Sequence, residues 1–162
     1  MTPNPDLTFY FTIGLPACGK SSWARKQMAN MAATKVSVMR INNDELRRML
    51  HDNQWSGKNE KMIDASRDAL VSLAFNRRIN IILDNTHLNP YHQKKYSEWA
   101  EQQGYRFEVV DFTTGPLAVS VDECLRRDRE RTGWDKVGDA VIWRMYNQYL
   151  RPKENVDATN EV

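Results

Sequence analysis

The sequence predicts an α/β three-layer sandwich with a mostly parallel sheet of four to five strands, and three observations carry that expectation. Four runs rich in β-branched and aromatic residues, at 7–13, 36–41, 79–83 and 105–112, alternate with stretches of helical periodicity. A glycine-bearing turn joins the first run directly to a helical stretch. Carboxylates stand where the second and third runs end, at the carboxyl edge where parallel sheets collect ligands.

Each element has its own signal. Leu7, Phe9, Phe11 and Ile13 with their neighbours read as a strand buried on both faces, and residues 21–28 open a helix after the turn. Val36, Val38 and Ile41 mark the second strand, after which an Asn or Asp among residues 42–44 can cap a short helix reaching Leu50. Residues 54–58, with Gly57, read as a loop. Met62, Ser66, Ala69, Leu70 and Leu73 recur at helical spacing towards Arg77, before the third strand closes on Asp84. Pro90 suits a first helical turn and Gly104 a helix stop, which brackets the next helix ahead of the fourth strand. Gly115-Pro116 breaks that strand, a helix over 119–131 follows, and a loop carries Gly133 and Gly138. Val141, Ile142, Met145, Tyr146, Tyr149 and Leu150 form the apolar stripe of a last helix. The chain thus divides into a domain over 1–150 and a polar tail over 151–162 with little to bury.

A chain of 162 residues with 41% hydrophobic content suits one domain around one core. Cys18 in the turn and Cys124 in a helical stretch have neither disulfide-framework nor zinc spacing, which favours a reducing, cytoplasmic setting. The apolar run from Leu7 to Leu15 is too short to cross a bilayer, so a soluble chain without membrane contact is expected. The net charge of +2 does not announce a nucleic-acid binder, and any polyanion contact must be local. Arg126, Arg127, Arg129 and Arg131 make the best local cluster, although Asp128 and Glu130 dilute it towards a solvated charged helix.

The turn carries the sharpest chemistry. Gly14-Leu15-Pro16-Ala17-Cys18-Gly19-Lys20-Ser21 fits G-x-x-x-x-G-K-[ST], a loop whose backbone N–H groups cradle nucleotide phosphates at the positive end of the next helix. Residues 14–22, Ser22 included, are therefore candidate ATP contacts. Lys20 is expected to reach the β- and γ-phosphates, and the Ser21 hydroxyl to hold Mg²⁺. Asp44 is a candidate general base for an acceptor hydroxyl, or else a helix cap. Arg47, three residues on, shares its face and suits an acceptor bearing its own phosphate, the plainer alternative being a surface arginine. Asp84 is placed to fix Mg²⁺ waters, or is a turn residue. Arg127 and Arg131, at i and i+4, are expected to close over the nucleotide, or to belong to a salt-bridge ladder with Glu123 and Asp128. Trp55 and Trp134 lie in polar loops where a ligand contact is open to them, whereas His87 and His92 lack metal-ligand spacing.

Five motifs, G-L-P-A-C-G-K-S from 14, R-I-N-N-D-E-L-R from 40, I-L-D-N-T-H-L-N-P from 82, V-D-E-C-L-R-R-D-R-E-R from 121 and V-I-W-R-M-Y-N-Q-Y-L from 141, occur in this order. In order and spacing the chain resembles the kinase domain of phage-type polynucleotide 5′-hydroxyl kinases, found in nucleic-acid end-healing enzymes, over residues 9–150. The resemblance implies a P-loop kinase with an arginine-bearing lid that uses ATP and Mg²⁺ to phosphorylate the 5′-hydroxyl end of DNA or RNA. It implies Asp44 as the general base, Arg47 as the contact to the phosphate 3′ of the acceptor nucleotide, and Arg127 and Arg131 as lid arginines acting with Lys20. Asn85 and Thr86 match the family's strand-end motif and are candidate substrate contacts. Its second acidic position falls on Asp84 or Asn85, His87 replaces the usual Asn, and Ala17 stands where Gly is common. Such kinases are often joined to a phosphatase or ligase. With a polar tail after Leu150, a stand-alone kinase or excised module is expected, with a partner phosphatase or ligase, in the cytoplasm of a cell or a phage-infected host. Two rivals stay open: a P-loop kinase for a small-molecule or modified-base hydroxyl, and a nucleotide-binding regulatory module.

Overall fold

In the computed structural model, which describes residues 4–153, β1 (Asn4–Ile13) runs through the middle of a four-stranded sheet. β3 (Asn80–Leu83) and β4 (Tyr105–Asp111) flank it, and β2 (Val38–Ile41) lies outside β3, giving the order β2-β3-β1-β4. Every neighbouring pair is parallel, with Tyr10 opposite Ile82 on one side and Glu108 on the other. Parallel neighbours need long crossovers. These are α1 (Lys20–Ala33), then α2 (Asn43–His51) with α3 (Gly57–Asn76), then α4 (Pro90–Gln102). α5 (Val121–Arg129) and α6 (Asp139–Tyr149) follow β4.

Alternation along the strands builds two cores. Phe9, Phe11, Ile81 and Leu83 face α2, α3 and α4, packing with Leu46, Ile63, Val71, Phe75, Tyr96 and Ala100. Tyr10, Ile82 and Val110 face the other way, onto Ala24 of α1, Cys124 and Leu125 of α5, and Ile142 of α6. Each large side chain so buried contributes roughly 1.5–3 kcal/mol. The three expected layers are therefore present, and the central strands are clamped from both faces, which leaves the carboxyl edge of the sheet as a fixed platform.

Several boundaries depart from the sequence reading. β2 begins at Val38 instead of 36, because Lys35 adopts a positive φ of 58° and the Val36 N–H turns back to the Met31 carbonyl. α3 starts at Gly57 inside the expected loop, since the Ser56 hydroxyl accepts from Asn59 N–H and caps it. α5 stops at Arg129, short of 131. There the fully buried Asp128 carboxylate accepts the N–H groups of Val137 and Gly138 and ties the returning chain across the helix end. Most of the expected polar tail, residues 154–162, lies outside the described residues.

Candidate active site

The loop between β1 and α1 follows from its residue types. A side chain on Gly14 would bring a Cβ within 2.6 Å of Cys18 Sγ and 2.9 Å of Phe112 Cβ, so only hydrogen fits there. The Gly14 N–H donates to the Thr86 carbonyl at 2.9 Å, which fastens the loop to the segment after β3. Gly19 takes φ 105° at the start of α1, where no side chain caps the helix and no acid stands in its first turn. The positive helix end is thereby left for an anion. Lys20 is buried, and its Nζ folds back to the Leu15 carbonyl at 2.6 Å. Ala17 also sits in the left-handed region, at φ 64°.

Beyond the loop opens a cleft of about 670 Å³. Its wall brings together Pro16, Ala17, Gly19, Lys20, Ser21 and Ser22 with Asp44, Arg47, Asp84, Asn85, Thr86 and Arg131. Gly14, Leu15 and Cys18 do not line the cleft; they form the loop's base, Leu15 and Cys18 being buried. Arg127 is not part of the wall either. Its Nη1 donates to the Cys18 carbonyl at 3.3 Å, beside Gly19, so it is bonded to the loop itself. Because α5 ends at Arg129, Arg131 is not on a shared helical face with Arg127, which corrects the i, i+4 reading. The ladder foreseen as the alternative exists in part: Arg127 Nε donates to Glu123 at 2.8 Å, and Arg131 lies 3.9 Å from Asp128.

On the opposite wall, Asn42 caps α2 by accepting from Glu45 N–H at 2.9 Å, which frees Asp44 from that duty. The Asp44 side chain is 71% exposed and accepts from Arg47 Nη1 at 2.6 Å. Arg47 is not a plain surface arginine: its Nε and Nη2 donate to both oxygens of Glu60 on α3, at 2.6 and 2.9 Å. The hydrogen bond with Glu60, and then that with Asp44, raises the Arg47 pKa against the cost of burial, so its charge is permanent.

Asp84 is fully buried at the end of β3. Its Oδ2 accepts from Arg40 Nε and Nη2 at 2.9 and 2.6 Å, while its Oδ1 has no partner among the described residues. A buried carboxylate oxygen left unpaired beside a phosphate loop, with the Ser21 hydroxyl on the same cleft, is an all-oxygen donor set that fits Mg²⁺. Asn85 is committed locally: its Oδ1 accepts Asn43 N–H at 2.8 Å, and its backbone pairs with the Thr12 hydroxyl. Sequence reasoning missed Arg40 and Glu60. A cation within a short strand that ends at the ligand edge was the available signal for Arg40, whereas nothing local marks Glu60 among the polar residues of α3.

His87 lies behind the cleft, its ring stacked on Phe11 at 4.0 Å and its Nδ1 2.9 Å from the Thr12 carbonyl. Burial lowers its pKa to about 3, so the ring is neutral with the proton on Nδ1. With His92 and Arg67 it lines a smaller cavity of about 290 Å³. Of the two tryptophans singled out, Trp134 lines the main cleft and Trp55 does not.

No curated protein matches the chain. Among solved structures, the Pnkp1/Rnl/Hen1 RNA repair complex contains a chain with 19% identity and a TM-score of 0.62, covering 96% of this chain and 52% of its own. A second Pnkp1/Rnl/Hen1 complex aligns at 22% identity and TM-score 0.58, over 79% of this chain and 41% of the other. This chain thus spans about half the length of those two, or less. The Mycobacterium tuberculosis APS kinase CysC, in complex with AMPPNP and APS, aligns at 18% identity and TM-score 0.59, covering 78% and 71% of the two chains. A gluconokinase from Sinorhizobium meliloti 1021 aligns at 15% identity and TM-score 0.51, over 94% and 81%. At these identities the likeness establishes the P-loop kinase fold. The AAA domain family matches residues 10–152, nearly the whole described chain, and with its phosphate loop and parallel sheet the protein belongs to that family as a kinase-like P-loop domain.

Proposed function

We propose that the protein transfers the γ-phosphate of ATP to the 5′-hydroxyl end of DNA or RNA. The observation that carries this reading is the Asp44–Arg47 pair on α2, which opens on the same cleft as Lys20, Ser21 and Arg131. A carboxylate base beside a guanidinium suits an acceptor that presents a hydroxyl and a phosphate together, as a nucleic-acid end does.

In this mechanism the ATP phosphates lie against the N–H groups of residues 14–22, and Lys20 exchanges the Leu15 carbonyl for phosphate oxygens. Mg²⁺, for which Ser21 and Asp84 Oδ1 are the candidate ligands or water anchors, neutralises phosphate charge when bound. An acceptor phosphate competes with Asp44 for Arg47 Nη1, while Glu60 keeps the guanidinium in place through Nε and Nη2. Asp44, so released, takes the proton of the 5′-hydroxyl as its oxygen bonds to the γ-phosphorus. The bond from that phosphorus to the bridging oxygen breaks, and ADP leaves with the electron pair. Arg131 from the cleft wall and Arg127 from its contact with the loop balance the charge spread over the transferring group.

Structural similarity to chains of RNA repair complexes supports a nucleic-acid acceptor and a partner ligase. A second reading, a kinase for a small-molecule hydroxyl, is favoured by similarity to APS kinase and gluconokinase and by a cleft volume that suits small ligands. Folded protein with Mg²⁺ and ATP labelled on its γ-phosphate, offered 5′-hydroxyl oligonucleotides and a pool of small alcohols, separates the two. Label is expected on the oligonucleotide 5′ end. Label only on small alcohols selects the second reading, and none on any acceptor removes both.

A further inference from the structure

Trp134 is a large apolar side chain, 59% exposed, that lines the cleft shared by the phosphate loop, Asp44 and Arg47. It sits in the single 3₁₀ turn Gly133–Asp135 that follows α5. Two contacts fix the turn. Arg48 of α2 pairs with the Asp135 carboxylate, and Arg131 Nη1 donates to the Asp135 carbonyl at 3.3 Å. Arg48 directly follows Arg47, so its ion pair ties the turn to the helix that bears Asp44 and Arg47, and among the described residues no hydrogen bond or ion pair ties the turn to the phosphate loop. An indole exposed to water in a cleft lined by Arg47, Arg48 and Arg131 is a flat apolar surface beside cations that attract a phosphate backbone. Trp55 is more exposed, at 74%, but lines no part of the cleft.

From this placement we infer that Trp134 is the stacking platform for the terminal base of the nucleic-acid acceptor, with the Arg48–Asp135 pair holding the turn in position. This rests on the proposed function. The occupant is the acceptor's base and not the adenine of ATP, because the side-chain ion pair of the turn runs to α2 beside Arg47 and, among the described residues, no hydrogen bond or ion pair of the turn runs to the phosphate loop. Stacking is indifferent to base identity, since every base has a π-face, so the site recognises that a terminal base is present and not which one it is.

The test measures equilibrium binding, without ATP, of two fluorescent 5′-hydroxyl oligonucleotides that differ only in whether the terminal nucleotide carries its base or is abasic. Wild type is expected to bind the intact end about five- to 150-fold more tightly, the range for one lost stack. Trp134→Ala is expected to bind both ends alike while its equilibrium affinity for a fluorescent ATP analogue matches wild type, and Trp134→Phe to keep the discrimination. Equal binding of both ends by wild type, or full discrimination by Trp134→Ala, overturns the inference. If the discrimination holds but no label reaches any oligonucleotide in the transfer assay, the stacking site stands and the phosphoryl-transfer reading falls. If label is transferred and Trp134→Ala still discriminates, the stacking site alone falls.

Discussion

The two walls of the cleft are built from different material. The donor wall is backbone: a loop whose shape is imposed by Gly14, where a Cβ would strike Cys18 and Phe112, and by Gly19 at φ 105°. The acceptor wall is side chain: Asp44, Arg47 and Glu60 in one ion-pair cluster, with Arg48 reaching Asp135 beside it. Backbone amides set by folding present the same donors whatever arrives, which suits a triphosphate common to many enzymes. The exposed Asp44 end of that cluster can exchange partners at little cost, which suits the proposed mechanism, in which an acceptor phosphate displaces this carboxylate. This division explains how one phosphate loop serves kinases of different acceptors, since only the exchangeable wall has to differ.

The largest expected effect breaks one wall and spares the other. Asp44→Ala removes the proposed base, and its turnover is expected to fall about 10²–10⁴-fold. ATP affinity, followed by titration with a fluorescent nucleotide, is expected to hold, since no donor-wall contact involves Asp44. Unchanged turnover removes Asp44 from the base role. A matching loss of ATP affinity shows instead that the walls are not independent.

A middle-sized effect comes from beneath the donor wall, where Thr86 receives the Gly14 N–H and His87 packs against Phe11. Above pH 6.5 the imidazole is neutral folded or unfolded. As pH falls, the unfolded chain takes up a proton that the folded chain refuses until about pH 3, so burial costs stability throughout that window. The slope approaches about 1.4 kcal/mol per pH unit, which integrates to about 2 kcal/mol between pH 6.5 and 4.5. His92, also lowered by burial, adds a loss of the same sign. The carboxylates of Glu45 and Glu60, which hydrogen bonds from Arg40 and Arg47 hold low against their own desolvation, add a loss of the same sign that begins as pH falls through their ordinary value of 4.5, at the acid end of that window. Denaturant melts at pH 7, 5.5 and 4.5 should therefore show a decline that His87→Asn flattens; asparagine accepts the positive φ of 44° at this position. A parallel decline in both proteins shows that His87 is not its source.

The contrast between the walls is also a contrast in what a sequence discloses. The donor wall was legible because its constraint is local: eight consecutive residues specify the loop, and the strand and helix beside it follow from their own periodicity. Asp44 and Arg47 were legible as a pair because three residues apart on a helix means one face. Glu60, thirteen residues from Arg47, and Asp135, eighty-seven from Arg48, become neighbours only when α3 and the turn after α5 have packed. The early end of α5 hid for the same reason, since Asp128 halts the helix by binding N–H groups nine and ten residues downstream.

The smallest expected effect tests whether the donor wall is as rigid as its geometry implies. Ala17 holds φ 64°, a conformation that costs an L-residue about 1–2 kcal/mol and glycine almost nothing. Ala17→Gly relieves that strain. It also forfeits about 0.8 kcal/mol from a buried methyl group and lends the unfolded chain about 0.4–1 kcal/mol of entropy. These terms nearly cancel, so stability measured by denaturant titration is expected to move by less than about 1 kcal/mol. ATP affinity is expected to weaken about fivefold, because a loop no longer held in its binding shape must be ordered by the ligand at about 1 kcal/mol. Unchanged affinity would mean that Gly14, Gly19 and the Arg127 contact to the Cys18 carbonyl already suffice to shape the loop. A loss of stability beyond about 2 kcal/mol would mean that packing of the Ala17 methyl outweighs its backbone strain.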